Sequence, residues 1–226
     1  MRRNVWVIFR AFVLALAFAS VARAQMGMDM FKKPAVAKAF HPVVGKGAEY
    51  ETTGNGSGDT KTRTMEMGVV GKESVDGKDG YWMQFVVTTN KGQTMVGKAL
   101  ITAEDFQFRR MIVQSPGQPA MEMPVTFAAR NRGNMEEGMA DFHSIGTETV
   151  TVPAGTFSCD HLKSDKDGSE VWTSDKVAPY GLVKRTAKDG TTVLVKVLDD
   201  YQDRITGPVR QFDMQQMMQQ RQQAKP

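Results

Sequence analysis

Residues 81–101 read YWMQFVVTTNKGQTMVGKALI, two apolar runs on either side of Lys91-Gly92. In the first run Tyr81, Met83, Phe85 and Val87 form an unbroken apolar face, and Trp82 and Val86 partly cover the other side. In the second, Met95, Gly97, Ala99 and Ile101 share a face while Lys98 marks the wet one. Successive side chains of a strand alternate between faces, so a period of two in short runs rich in Val, Thr, Phe and Tyr predicts half-buried strands. Lys-Gly between them predicts a hairpin, because glycine takes the φ > 0 that a tight reversal requires.

The same rhythm extends in both directions. Met65, Met67 and Val69 oppose Thr64 and Glu66; Met121 and Met123 flank Glu122; Val193, Val195 and Val197 oppose Lys196. Turn residues punctuate the runs at Asn55–Gly58, Asp76–Gly80, Ser115–Pro119, Asp165–Gly168 and Asp189-Gly190. Strands are expected at 47–53, 60–70, 81–89, 94–102, 106–114, 145–152, 156–164, 169–174, 181–187 and 191–199. Their spacing predicts a mainly β fold, a large curved antiparallel sheet or incomplete β-barrel with one or two short helices. Residues 46–204 would form this half-barrel. Residues 25–45, interrupted by Pro34 and Pro42, would form a lead segment of short helix or coil, and 126–144 a helical turn or lid-like loop. Residues 205–226 would be a Gln/Met-rich tail, helical or disordered.

The amino terminus has the pattern of an export signal. Arg2 and Arg3 precede a 9-residue apolar run, Ala11 to Ala19, and Ala22-Arg23-Ala24 offers the small-x-small site a signal peptidase cuts after. A bilayer span needs about 20 apolar residues, so this run suits a signal rather than an anchor. Cleavage after Ala24 leaves 226 − 24 = 202 residues and removes four arginines, so 29 − 4 = 25 basic residues face 25 acidic ones. The basic balance of the whole chain therefore belongs to the signal, and neither nucleic acid nor anionic lipid is indicated as partner. Cys159 is the only cysteine, which rules out an internal disulfide, and Gln25 stands where a lipid-anchored protein would carry cysteine. The chain is expected to be periplasmic or secreted, and soluble rather than membrane-spanning.

Residues 146–198 hold the most distinctive motifs, VTVPAGTF-x-C at Val150–Cys159 and VW-x-S-x-x-V followed by P-x-GLVK at Val171–Lys184. In physical terms they are strand, corner, strand, hairpin and strand, with Pro153 ending one run and Gly155 allowing a sharp bend. This paired signature resembles bacterial periplasmic proteins similar to the LolA/LolB-like lipoprotein-carrier superfamily. The resemblance covers Gly47 to Asp199 and implies an incomplete antiparallel barrel with an apolar hollow for acyl chains.

Methionine is the second functional signal: 15 of the 202 residues after the signal are Met. Unbranched thioethers fill irregular gaps and line surfaces that adapt to varied apolar ligands. On this reading Met65, Met67, Tyr81, Met83, Phe85 and Met95 line a binding face for a lipid or an acylated partner, with no cofactor. The same residues are also a satisfactory filled core, which would make the protein structural or an envelope-interaction protein. A third reading uses Met26, Met28, Met30 and His41 as soft ligands for periplasmic copper. Cys159-x-His161 lacks the further ligands of a zinc site. Asp141, His143 and Ser144 are too close in sequence for a triad, no G-x-S-x-G occurs, and Gly54–Gly58 lacks the Lys of a phosphate loop. No enzyme is expected.

Overall fold

The computed structural model describes residues 40–56, 59–88, 92–125 and 142–212. They form β1 (Lys46–Gly56), β2 (Asp59–Val75), β3 (Lys78–Thr88), β4 (Thr94–Thr102), β5 (Phe108–Gln114), β6 (Met121–Met123), β7 (Phe142–Val152), β8 (Gly155–Ser164), β9 (Glu170–Thr173), β10 (Leu182–Ala187), β11 (Gly190–Asp199) and β12 (Arg210–Gln211). All twelve belong to one open, curled sheet in the order β12-β6-β5-β4-β3-β2-β1-β11-β10-β9-β8-β7. Every pairing is antiparallel except β12 with β6. The expected mainly β fold is what forms. Of the segments where short helices were anticipated, 25–45, 126–144 and 205–226, residues 25–39, 126–141 and those beyond Phe212 lie outside the described residues, as do Met26, Met28 and Met30.

Two turns show how the sequence directs the reversals. Between β2 and β3, Asp76 and Gly77 both take positive φ (52° and 76°), as a two-residue hairpin turn requires. Between β10 and β11 the turn shifts by one residue from the expected Asp189-Gly190. Ala187 pairs Gly190, so Lys188-Asp189 occupy the bend. Gly190 serves another need, since a Cβ there would lie closer than 3.0 Å to Thr53 O on β1.

Register defines the faces. We call inner the face that carries Tyr50 and Met67. Three lateral rows cross it: Val69, Met83, Ala99, Met111 and Met123; Ala48, Met67, Phe85, Gly97, Val113 and Met121; Tyr50, Met65, Val87 and Met95. On β11 the expected Val193/Val195/Val197 face is corrected by a bulge. Glu49 pairs Lys196 but Tyr50 pairs Leu194, so Val195 is the extra residue and parity changes there. Leu194, fully buried, takes the place opposite Tyr50, while Val193 pairs Glu51 and is only partly buried against the core. The Tyr50 hydroxyl donates to Leu182 O at 3.3 Å and ties β1 to β10.

The other face is crossed by a strap, residues 200–206. Its row on the sheet is Gly47, Gly68, Gln84, Lys98 and Ile112. Tyr201 lies over Gly68 and Gly47, where a Cβ on Gly68 would stand closer than 3.0 Å to the ring. The buried Gln84 amide donates to Gln202 O (3.0 Å) and accepts from Arg204 N (2.8 Å), imitating one rung of a ladder. Gln114 repeats the device with Thr206 O and N, both at 3.0 Å. Lys98 pairs Asp203, and Arg204 pairs Glu66 at 2.6 Å.

The curl is closed at one end by aromatic contact. Phe40 meets Phe106 of the β4–β5 turn at 5.0 Å and Tyr180 of the β9–β10 loop at 5.1 Å. His41 N donates to Pro179 O at 3.0 Å beside them.

Candidate functional site

The six residues singled out by sequence come together on one face. Met65, Met67, Tyr81, Met83, Phe85 and Met95 lie on β2, β3 and β4, and the register puts all of them on the inner side. They are not equally accessible. Met65, Met67 and Met83 are 9%, 1% and 2% exposed and belong to the packed core, with Tyr81 resting against it. Phe85 and Met95 are half-buried, and the Phe85 ring covers Gly97, where a Cβ would collide with it. Further along the same rows Met111, Val113 and Met121 are also half-buried. The apolar face therefore runs from a filled core at β1–β3 to a partly open, methionine-rich strip at β3–β6.

Sequence reading missed the row that borders this face. Thr52 pairs Arg63 on β2 and Thr192 on β11, and Thr192 pairs Arg185 on β10. Arg63 stands two residues from Met65 on one strand, so it shares the inner face with Tyr50, Met65 and Leu194. The Thr52 and Thr192 hydroxyls hydrogen-bond at 2.9 Å, which confirms their common side. Arg185 is drawn to Asp189 at 3.5 Å. Among the described residues no carboxylate lies within ion-pair distance of Arg63, which is half-buried. Alternation would have put Arg63 on the methionine face of β2, but only the pairing with β1, β11 and β10 aligns the four residues.

The motif residues of β7–β10 have a structural role. Val150, Val152, Phe157, Cys159, Trp172, Val177, Leu182 and Val183 are all buried in the core, and Ala154 N at the hairpin tip donates to Leu194 O at 3.3 Å. Burial, with help from the charges of Glu148 and Asp160, pushes the Cys159 thiol up to about 11, so it stays neutral and unreactive near pH 7. His161 stacks on Trp172 with ring centroids 4.3 Å apart, and its Nε2 lies 3.2 Å from Glu170 Oε2. Among the described residues no cluster of three or more His, Cys, Asp or Glu side chains is placed to hold a metal ion. Nor is any helix among them long and apolar enough to cross a membrane.

No family model and no curated protein matches the chain, so the resemblance to the lipoprotein-carrier superfamily rests on its sequence motifs alone. Solved structures with some likeness include a candidate lipoprotein of Parabacteroides distasonis ATCC 8503, 16% identical, covering 70% of this chain and 97% of that one, with a TM-score of 0.38. Another is a candidate exported protein with YmcC-like fold from Bacteroides fragilis NCTC 9343, 13% identical, with coverage of 70% and 97% and a TM-score of 0.37. At these TM-scores the likeness carries no argument about what the chain does.

Proposed function

We propose that the protein is an exported, non-enzymatic binding protein that shelters an apolar ligand, the acyl chain of a lipid or of an acylated partner, against the inner face of its sheet. The observation that carries this reading is the concentration of methionine on that face. Met65, Met67, Met83, Met95, Met111, Met121 and Met123 occupy five adjacent strands, and their exposure rises from β2 and β3 toward Met95, Met111 and Met121. Thioethers on mobile unbranched chains adapt to a ligand of variable length, and each CH₂ removed from water contributes about 0.8 kcal/mol. The signal-like pattern of residues 2–24 supports export.

The test uses fatty-acid uptake and thermal melting on the wild type and two variants. Met83 is walled in by Val69 and Ala99, so Met83→Trp overpacks and costs roughly 1–3 kcal/mol whatever the function. Met95 borders the open strip, so Met95→Trp should leave melting nearly unchanged and abolish long-chain binding. Failure of the wild type to take up any chain from twelve to eighteen carbons, roughly 10–14 kcal/mol of gross burial for such tails, would sink the reading. The near-complete burial of Met67 and Met83 favours a second reading in that event, a structural envelope protein with a filled core.

A further inference from the structure

We infer that the ligand of this face is a single-chain anionic amphiphile, its carboxylate or phosphate head held by Arg63 and Arg185 at the rim and its tail laid along the methionine strip. The inference rests on the apolar-ligand reading above and adds the chemistry of the head group. It starts from the polar row Arg63–Thr52–Thr192–Arg185, which crosses four adjacent strands on the inner face. With strands about 4.8 Å apart, the two arginine Cα atoms stand about 14 Å apart with the two threonine hydroxyls between them. Arginine side chains reach far enough to converge over that gap, and each presents a planar fork of donors matched to a carboxylate or phosphate.

Burial and pairing set this row apart from an ordinary solvated strand end. Arg63 is half-buried at the edge of a face that continues inward as Tyr50, Met65 and Met67, yet no described carboxylate satisfies it. Holding a cation over apolar surface without a counter-charge is costly, and an incoming anion relieves that cost. Arg185 is already shared with Asp189, so it completes the row while Arg63 supplies a charge that no described carboxylate matches. Thr192 is 4% exposed and Thr52 half-buried, and each hydroxyl keeps a free lone pair or proton beyond their mutual bond.

The next row inward is apolar. Met65 pairs Val87, which pairs Met95, so Arg63 is a diagonal neighbour of Val87, about 7–8 Å away on the same face. From there the half-buried Phe85, Met95, Met111, Val113 and Met121 continue across β3–β6. The opposite end of the inner face, at Tyr81 and Ile101, lies beside the Phe40–Phe106–Tyr180 contact, so the arginine row marks the end left for a polar group. A molecule with one charged end and one apolar tail fits this order of rows; a neutral lipid leaves Arg63 unmatched.

Binding of palmitate, hexadecanol and methyl palmitate to the full chain after signal removal tests the idea, with lysophosphatidic acid as a phosphate-headed arm. Wild type should bind palmitate at least about tenfold more tightly than hexadecanol or the methyl ester, the usual worth of one charged hydrogen-bonding pair, and the preference should shrink in high salt. Arg63→Gln should remove most of that preference, leave hexadecanol affinity alone and, because no ion pair to a described carboxylate is lost, leave thermal melting at or above the wild-type value. Arg185→Gln should reduce it less. Lysophosphatidic acid in place of palmitate as the tighter ligand selects the phosphate head and supports the same site. Equal affinity for acid, ester and alcohol overturns the head-group inference and leaves the apolar-ligand reading intact. Loss of all three ligands in Arg63→Gln with unchanged melting also overturns it, since the arginine would then shape the tail site. No binding of any of them by wild type overturns both.

Discussion

At the scale of single residues, one bulge decides which side chain of β11 matters. Val193, Val195 and Val197 alternate so regularly that they read as one buried face, yet the extra residue opposite Tyr50 hands the buried place to Leu194. Leu194→Asp should therefore be severely destabilising, since it removes a fully buried leucine from beside Tyr50 and takes a carboxylate out of water in its place; several kcal/mol is expected. Lys196→Asp changes an exposed position opposite Glu49, where like charges across a pair cost only a few tenths to about 1 kcal/mol. Urea melts of the two variants decide the register. Equal losses, or a larger loss in Lys196→Asp, would mean that β11 presents its other face to the core.

At the scale of elements, the strap over β1–β5 shows how a segment without regular secondary structure is held in place. Residues 200–206 have no strand of their own, but Gln84 and Gln114 each lend an amide that pairs with the strap backbone as a neighbouring strand would. Tyr201 adds the apolar contact, seated where Gly47 and Gly68 leave room. Its burial raises the phenol to about 12, so the hydroxyl stays neutral over the working pH range. Gly68→Ala should displace the ring and cost roughly 1–3 kcal/mol. Tyr201→Ala should cost a similar amount, but the double variant should lose much less than the sum, because both changes break one contact. Additive losses in a double-mutant cycle read by denaturant melts would show that Tyr201 and Gly68 do not depend on each other.

On the scale of the whole molecule, the curl of the sheet depends on contacts between segments distant in sequence. Phe40 joins the β4–β5 turn to the β9–β10 loop, and the turn is itself braced by Asp105, which accepts from Lys78 Nζ at 2.8 Å and from Thr102. Phe106 takes a positive φ of 52°, a conformation that a bulky residue adopts only where its surroundings impose it. Phe40→Ala should cost about 2 kcal/mol, less than the roughly 3–5 of a fully buried phenylalanine. It should also speed amide exchange in residues 103–107 and 177–181 together. Exchange that changes in one segment alone would mean that Phe40 does not bridge the two halves.

The strand positions and the apolar face of β2–β4 were determined by the sequence itself, because a period of two and a Gly or Asp-Gly turn are local properties of ten residues. The pairing of Met65, Met67, Met83, Phe85 and Met95 on one side follows from the same periodicity once consecutive strands pair as hairpins. Tertiary structure alone decided the rest. The bulge at Val195, the strap on the second face and the order that brings β11 beside β1 are long-range, since each pairs residues more than a hundred positions apart. The arginine row depends on the same order: Arg63 is a charged residue at a strand start until β1, β11 and β10 set Thr52, Thr192 and Arg185 beside it. Local pattern says which way a side chain points on its own strand; only the closing of the sheet says which distant side chains stand next to it.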